Sequence, residues 1–181
     1  DQKLNLRVID LDDVITELSE LMAPQFKQEN ISISVTKDPS GLPLCVEADE
    51  KGLHRVILNL LTNAEQAVLE RMEKTGPESP GKVIISARFN DEKDHILVSI
   101  VDNGVGIETE KASAIFDMFA TTKGMAGSGL GLAVSRKIIE AHGGTIYAAG
   151  QKDKGCTMTF SVPVGQNDAG TSTRAIKKMF K

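Results

Sequence analysis

Apolar residues recur along this chain with two spacings, one typical of strands and one typical of helices. Alternation of apolar and polar residues predicts strands at 4–8, 31–35, 83–89, 96–102, 145–149 and 157–164. Apolar residues three and four apart predict three helices, which begin near Leu11, Glu50 and Leu130. We expect Pro24 to kink or end the first helix, because proline lacks the amide hydrogen used in a helix interior.

The order of these elements predicts an α+β fold. The strands at 83–89 and 96–102 flank a turn at Asn90-Asp91 and form an antiparallel hairpin, and the second strand is apolar on both faces, as central strands are. Three helices on one face of a mixed, mostly antiparallel sheet make a two-layer α/β sandwich. One domain is therefore expected over residues 1–164, followed at 165–181 by a polar, basic tail that is expected to be disordered or a linker.

Two of the predicted helices carry further detail. The long helix, from about Glu50 to Met72, bears a polar stripe of Asn59, Asn63 and Gln66 at i, i+4 and i+7, a pattern that a solvated face alone would also produce. The last helix is expected to end at Gly143-Gly144 and to bury Leu130, Val134, Ile138 and Ala141.

Composition narrows the classes of function. The 181 residues carry a net charge of −4 and no tryptophan. The sequence has no basic stripe with interleaved aromatic residues, which argues against a nucleic-acid partner. The sequence has no signal peptide and no long apolar run, so the segment is expected in the cytoplasm without membrane contact, whether or not a longer parent protein is membrane-anchored. Cys45 and Cys156 lie far apart without a CxxC motif, which predicts reduced thiols.

Two glycine clusters bracket the most informative stretch. The first is Asp102-Asn103-Gly104-Val105-Gly106-Ile107 and the second is Gly127-Ser128-Gly129-Leu130-Gly131-Leu132. Glycine lets the backbone approach a ligand closely. Since the second cluster runs into a helical pattern, its N–H groups and the helix dipole favour a phosphate. The sequence therefore predicts a nucleotide site, with a carboxylate for the base at one end and a glycine-rich helix start for the phosphates at the other.

Four motifs of the chain resemble, in order and spacing, the ATP-site motifs of gyrase, heat-shock chaperones, mismatch-repair proteins and histidine kinases. Residues 59–64 resemble the asparagine box, 102–106 the first glycine box, 116–123 the F box, and 127–132 the second glycine box. The similarity is closest to the catalytic, ATP-binding domain of bacterial sensor histidine kinases with a short lid, as in the nitrogen-regulation sensor. It covers about residues 4–164 and implies the Bergerat-type ATP-binding fold.

The resemblance implies a role for each motif. Asp102 would accept the exocyclic amine of adenine and reject guanine. Asn59 and Asn63 would hold magnesium (Mg2+) through their side-chain oxygens, and Lys123 would neutralise the β- and γ-phosphates of ATP together with the amides at 127–131. Simpler roles remain open for single residues. Asp102 could cap a turn, Gly104 and Gly106 could form a plain turn, and Lys123 could be an exposed lysine.

The implied site has three overlapping sets of residues. Asn59 and Lys123 would be catalytic, and Asn59 and Asn63 would be the magnesium ligands. The nucleotide would contact Asn59, Asn63, Gln66, Asp102, Gly104, Gly106, Ile107, Phe119, Thr121, Thr122, Lys123, Gly127, Ser128, Gly129, Leu130, Gly131 and Leu132. Gln66 stands where many family members have a cation, so its contact with phosphate is left open.

Asn59 also bears on the type of reaction. The hydrolysing members of this superfamily resemble one another in carrying a glutamate at this position, four residues before the Asn63-Ala64 pair. An amide cannot serve as that general base, whereas a neutral imidazole acceptor needs little activation. The resemblance thus implies phosphoryl transfer to a histidine in two-component signalling, while a regulatory nucleotide-binding module and, less favoured, a true ATPase remain alternatives.

The acceptor histidine is expected outside this chain. His54, His95 and His142 are interpreted as structural or surface residues, because none lies in a dimerising helical hairpin. The resemblance implies a histidine-bearing dimerisation domain of the same kinase upstream of Asp1, a homodimeric parent protein, and a response-regulator receiver domain as the next partner.

Overall fold

The computed structural model describes residues 4–76, 79–117 and 130–164 of the chain. In these ranges the strands are β1 (Leu6–Asp10), β2 (Ile31–Thr36), β3 (Cys45–Asp49), β4 (Gly81–Phe89), β5 (His95–Asp102), β6 (Ile146–Gln151) and β7 (Gly155–Pro163). The α-helices are α1 (Leu11–Gln28), α2 (Glu50–Thr75) and α3 (Gly131–Ala141), and single 3-10 turns lie at Thr109–Lys111 and Ala114–Phe116. Within the same ranges, no helix has the length and apolar character needed to cross a membrane.

The main sheet has five strands in the order β2-β4-β5-β7-β6. The β2–β4 pair is parallel and the other pairs are antiparallel, so the predicted mixed, mostly antiparallel sheet is confirmed. β5 is the middle strand, as its two apolar faces predicted. The α+β fold class is therefore confirmed, with the three helices packed on the sheet.

A second, two-stranded sheet pairs β1 with β3. β3 was not predicted, because only Val46 and Ala48 mark its inward face and both are small. Their side chains are 2% and 0% exposed, which shows that this short strand belongs to the core.

The core lies between α2 and the main sheet. Leu53, Ile57 and Leu61 of α2 are fully buried, as are Ile85 on β4 and Phe160 on β7. Each such side chain contributes roughly 1.5–3 kcal/mol of hydrophobic free energy when it is fully buried. α2 is therefore the platform against which the sheet and the other helices are fixed.

Of the two outcomes expected at Pro24, a kink or an end of the helix, the end does not occur. The helix begins with the Asp10 carboxylate accepting the Asp12 amide at 3.0 Å and continues four residues past Pro24 to Gln28. Phe26, two residues after the proline, is completely buried. A proline inside a helix costs about 3 kcal/mol, and burial of this aromatic ring offsets that cost.

The inward face of α3 differs from its prediction in part: Val134 and Ile138 are half-buried, and Ile138 packs against the core. Leu130 is 37% exposed and Ala141 lies at the surface, while Ala133, Ser135 and Ile139 are the buried residues. Apolar residues occupy several faces of this short helix, so the pattern alone did not fix its rotation. The predicted end is confirmed: the Gly144 amide donates to the Ile139 carbonyl at 3.0 Å.

Candidate nucleotide-binding site

Asp102 is the last residue of β5, between Val83 on β4 and Cys156 on β7. Its side chain is only 6% exposed, and Oδ1 accepts the Gly104 amide at 2.8 Å. Burial raises the pKa of Asp102 to about 6, although hydrogen bonds from the Gly104 and Cys156 backbones oppose the rise. Above that pH the group is an acceptor-only carboxylate, as recognition of an exocyclic amine requires.

Cys156 lies directly beside this carboxyl group. Burial, together with the charge of Asp102, raises the pKa of the Cys156 thiol to about 12. The thiol is thus protonated and unreactive at neutral pH. Both Cys45 and Cys156 are free, as predicted.

The glycines of the first cluster are required by contacts within the protein. A Cβ at Gly104 would lie 2.5 Å from the Ala67 backbone on α2, and one at Gly106, where φ is +70°, would lie 2.0 Å from the Gln151 carbonyl oxygen. The same loop is tied down by the Val105 amide, which donates to the Ala67 carbonyl at 3.1 Å. These glycines therefore let the loop pack closely against α2 and the β6–β7 turn. Ile107, the next residue along the chain, is half-buried.

Gly155, at the start of β7, is a supporting residue that sequence reasoning missed. Its φ is +95°, and a Cβ there would lie 2.0 Å from the carbonyl oxygen of Asp102. Only glycine fits so close to the end of β5. A glycine after the polar run Lys152-Asp153-Lys154 indicated a turn, but not the neighbour of Asp102.

Asn59 of α2 faces α3 at the other end of the site, and Asn63 follows it by one helical turn. Asn59 Nδ2 donates to the Ser135 hydroxyl at 3.0 Å, and Asn63 Nδ2 donates to the Asn59 backbone carbonyl at 2.8 Å. A Cβ at Gly131 would lie 2.4 Å from Asn59 Oδ1. Both asparagines are half-buried, so they are not part of a plain solvated face, whereas Gln66 is exposed on the same helix.

α3 begins at Gly131, which lies against the side-chain amide of Asn59. Its N-cap residue, Leu130, provides no side-chain cap for the N–H groups of the first turn. A helix start of this kind attracts an anion through those N–H groups and the helix dipole. Asn59 and Ala67, which contact the two ends of the site, are eight residues apart on α2, a separation of roughly 12 Å along the helix axis.

Several residues of the predicted site lie outside the described ranges. They are Phe119, Thr121, Thr122, Lys123, Gly127, Ser128 and Gly129. Of the neighbouring residues, Leu132 is half-buried and packs against the core, and Phe116 is 4% exposed.

The donor set bears on which metal the site could hold. Across residues 4–76, 79–117 and 130–164, no three His, Cys, Asp or Glu side chains cluster in a way that could hold a metal ion. A metal here would depend on amide oxygens and on oxygens of a bound phosphate. Oxygen ligands with few protein contacts suit magnesium, so the residues present fit that ion.

The described histidines have roles in the fold or lie at the surface. His142 caps the end of α3: Nε2 accepts the Asp49 amide at 3.0 Å, and Nδ1 lies 2.7 Å from the Ile138 carbonyl. His95 pairs with Asp94 at 2.8 Å in the β4–β5 turn, and His54 is half-buried on α2.

A separate cleft of about 340 Å³ lies away from this site. It is lined by Asp10, Asp12, Lys37, Asp38, Gly41, Leu42 and Pro43. Burial, followed by the charge of Asp10, raises the pKa of Asp12. The cleft has neither the glycine turns nor the helix start of the nucleotide site, so we do not assign the chemistry to it.

Comparison with known proteins identifies the family. The sequence matches the family model for histidine kinase-, DNA gyrase B-, and HSP90-like ATPases over residues 48–166. Sensor histidine kinase ZraS of Klebsiella oxytoca is 36% identical over 162 residues, which are 89% of this chain and 32% of that protein. The chain thus spans about a third of the length of this curated relative.

Solved structures agree with this result. The catalytic domain of histidine kinase ThkA has a TM-score of 0.72 and 30% identity, covering 88% of this chain and 96% of that one. ThkA in complex with the response regulator protein TrrA has a TM-score of 0.67 and 29% identity, covering 90% of this chain and 42% of that one. Full-length ShkA in complex with AMPPNP has a TM-score of 0.76 and 27% identity, covering 92% of this chain and 33% of that one. The resemblance drawn from the four motifs is confirmed, and the chain belongs to the family of histidine kinase-, DNA gyrase B-, and HSP90-like ATPases.

Proposed function

We propose that this chain binds ATP with Mg2+ and transfers the γ-phosphoryl group to a histidine on a separate domain, as the catalytic part of a protein-histidine kinase in two-component signalling. The observation that carries the proposal is the setting of Asn59. Its amide occupies the position between α2 and the start of α3, and an amide has no useful basicity. This chain therefore lacks, at that position, the base that would activate water for hydrolysis.

Asp102 would recognise adenine. Its carboxylate is buried at a strand end and already accepts the Gly104 amide through Oδ1. A second acceptor position on the carboxylate suits the exocyclic amine of adenine, while guanine presents an oxygen to the same position and leaves both acceptors unpaired. Gly104 and Gly106 would act by holding the loop in place, and Ile107 would lie beside the base.

The phosphates would lie at the start of α3. The N–H groups from Gly127 to Gly131 and the Lys123 ammonium would surround them, an assignment that rests on the motif resemblance because residues 118–129 lie outside the described ranges. Asn59 and Asn63 would hold magnesium with their Oδ1 atoms. When bound, the ion would neutralise charge that develops on the phosphoryl oxygens.

The partners are proposed from the relatives. The ThkA complex contains a response regulator protein, so a receiver domain is the partner class that we propose here. We also propose that residues 1–164 form one catalytic unit in the cytoplasm, with 165–181 as a tail. The histidine would be held on a dimerisation domain of the same kinase, and the parent protein would be a homodimer.

Two measurements test the proposal. The first is calorimetric titration of the chain with AMPPNP, with and without magnesium, for which we expect binding that the metal strengthens. The second supplies the acceptor helices of the parent protein with ATP, and we expect acid-labile phosphohistidine on those helices. Multiple-turnover phosphate release by the chain alone would support an ATPase instead, and nucleotide binding without any transfer would support a regulatory module.

A further inference from the structure

Ser135 is a buried polar residue that the roles described above leave unexplained. It lies on α3 one helical turn after Gly131 and is 1% exposed, and the other buried residues of this helix, Ala133 and Ile139, are apolar. A hydroxyl in such surroundings is unfavourable unless it forms a hydrogen bond. Its hydrogen-bond partner is the side-chain amide of Asn59, 76 residues earlier in the chain.

The two polar atoms of the Asn59 side chain therefore lie against two different residues of α3. The Ser135 hydroxyl accepts from Asn59 Nδ2 at 3.0 Å, while Asn59 Oδ1 lies so close to Gly131 that a Cβ there would be only 2.4 Å away. The positive end of the α3 dipole lies on the Gly131 side and favours oxygen over an NH2 group there. The nitrogen is left to face the interior, where Ser135 is its acceptor.

We propose that Ser135 is a positioning residue for Asn59, and that its hydroxyl keeps Asn59 Oδ1 turned toward the first turn of α3, where it can hold magnesium. This inference rests on the proposed function. Without the hydroxyl, Nδ2 loses its acceptor on α3, and the amide rotates to find another partner. That rotation withdraws Oδ1 from the phosphate end of the site.

Packing alone is the competing explanation for Ser135. A residue that only fills space between α2 and α3 would change the affinity for nucleotide equally with and without metal. A residue that orients a metal ligand would change only the part of the affinity that magnesium adds. The gain in affinity on adding magnesium is therefore the quantity to measure.

The experiment is calorimetric titration of the full 181-residue chain with AMPPNP, once in saturating magnesium and once in EDTA. For Ser135→Ala we expect the gain from magnesium to fall about tenfold or more, in line with the loss of other groups that orient metal ligands, and the affinity in EDTA to stay within about twofold. In an Asn59→Ala background, Ser135→Ala should have no further effect on the gain.

Ser161→Ala is the matched control. It removes another buried hydroxyl, 6% exposed, whose oxygen accepts the Thr145 amide at 2.9 Å between β7 and the start of β6. The control should leave the magnesium gain unchanged. Equal losses for Ser135→Ala in magnesium and in EDTA, or an undiminished gain, would overturn the positioning role. A wild-type chain that shows no magnesium gain would overturn the proposed metal site itself.

A measurement without any substitution keeps the inference testable if Ser135→Ala does not fold. In the ligand-free wild-type chain, the Asn59 side-chain NH2 protons should exchange with water much more slowly than those of the exposed Asn30. Nuclear magnetic resonance of the side-chain amides gives both rates. Equal exchange at the two residues would show that the bond to Ser135 does not hold Asn59, and would contradict the inference.

Discussion

The two ends of the candidate site are built in different ways. At the base end, Asp102 is buried in the main sheet, and the adjoining loop is fixed by glycines whose neighbours are other parts of the protein. At the phosphate end, Asn59 and Asn63 are half-buried, and their side chains are held by single hydrogen bonds to Ser135 of α3 and to the α2 backbone. We therefore expect a substitution that disturbs the packed loop at the base end to lower stability together with binding, and substitutions at the phosphate end to lower binding and transfer with a smaller change in stability.

Gly106→Ala should give the largest effect on stability. The new methyl group meets the Gln151 carbonyl oxygen at 2.0 Å and the residue has a φ of +70°, so the loop has to leave its position on the β6–β7 turn. We expect the free energy of unfolding to fall by about 3 kcal/mol or more, measured by urea denaturation, and AMPPNP affinity to fall with it.

Gly41→Ala is the control for the backbone strain alone. Gly41 has a φ of +65°, but a Cβ there would meet nothing within 4 Å. It should cost only about 1–2 kcal/mol, the strain of a left-handed alanine. If Gly106→Ala costs no more than Gly41→Ala, the base end is not the closely packed unit described above.

Asn59→Ala tests the opposite expectation at the phosphate end. It removes a proposed magnesium ligand from the surface between α2 and α3, so transfer to the acceptor histidine should fall on the order of 100-fold or more. The free energy of unfolding should fall by no more than about 1–2 kcal/mol, the cost of leaving the buried Ser135 hydroxyl without its partner, which is less than the loss expected for Gly106→Ala. Phosphohistidine formation and urea denaturation of the same protein give the two quantities.

Thr62→Ala is the matched control on the same helix, since Thr62 is exposed three residues after Asn59. It should change neither quantity. A large loss of stability in Asn59→Ala without a loss of transfer would reverse the contrast between the two ends.

Asp102→Asn should separate binding from stability at the base end. The substitution removes an acceptor-only group, so ATP affinity should fall about tenfold and the preference for ATP over GTP should narrow. Calorimetric titration with each nucleotide measures both. Asp91→Asn, in the β4–β5 turn, removes a carboxylate from the surface and should leave both unchanged.

The stability of Asp102→Asn should change in the other direction. The pKa of Asp102 rises from 3.8 to about 6 on folding, so the folded chain holds the proton more tightly. The stability linked to that proton is complete below the ordinary value and is lost as the pH rises through about 6. Near pH 8 the variant should thus be more stable than wild type by about 1–3 kcal/mol, and the difference should shrink near pH 4. An equal difference at both pH values would show that ionisation of Asp102 is not the cause.

The sequence could predict those site residues that are marked by local patterns, and it could not predict those that act on distant parts of the chain. Asp102 was identifiable because a strand pattern ends on it and a glycine turn follows, both of which are local signals. Ser135 and Gly155 were not, because each acts on a residue distant in sequence: Ser135 on Asn59 of another helix, and Gly155 on the carbonyl of Asp102 of another strand. Local periodicity contains no information about such pairs.

Predictions of secondary structure were limited in the same way. The periodic patterns of α2, β4 and β5 were long enough to give their type and approximate ends. β3 has only two small inward side chains, and the burial of Phe26 keeps α1 helical beyond Pro24. In both cases tertiary packing outweighed the local preference of the sequence.

The smallest effect is expected at Glu65, whose side chain faces α1, and it shows whether Asp102 alone accounts for the pH dependence of stability. Glu65 lies on α2 facing α1, is 4% exposed, and accepts the Gln25 side-chain amide at 2.7 Å. Burial, followed by its hydrogen bond to Glu29 and the charge of Glu29, raises the pKa of Glu65 from 4.5 to about 7. The folded chain again holds the proton more tightly, so the linked stability is complete below 4.5 and is lost as the pH rises through about 7.

Glu65→Gln keeps the shape of the side chain and the possibility of a hydrogen bond to Gln25, but removes the ionisation. Near pH 8 the variant should be more stable than wild type by about 1 kcal/mol, and near pH 4.5 the two should be equal. Glu73→Gln, exposed near the end of the same helix, should show no such pH dependence. Because the Glu65 side chain interacts with Gln25 and Glu29 of the α1 side, AMPPNP affinity should not change. If it falls, the α1–α2 interface is coupled to the phosphate end through α2, and the two ends are not independent of the rest of the helix layer.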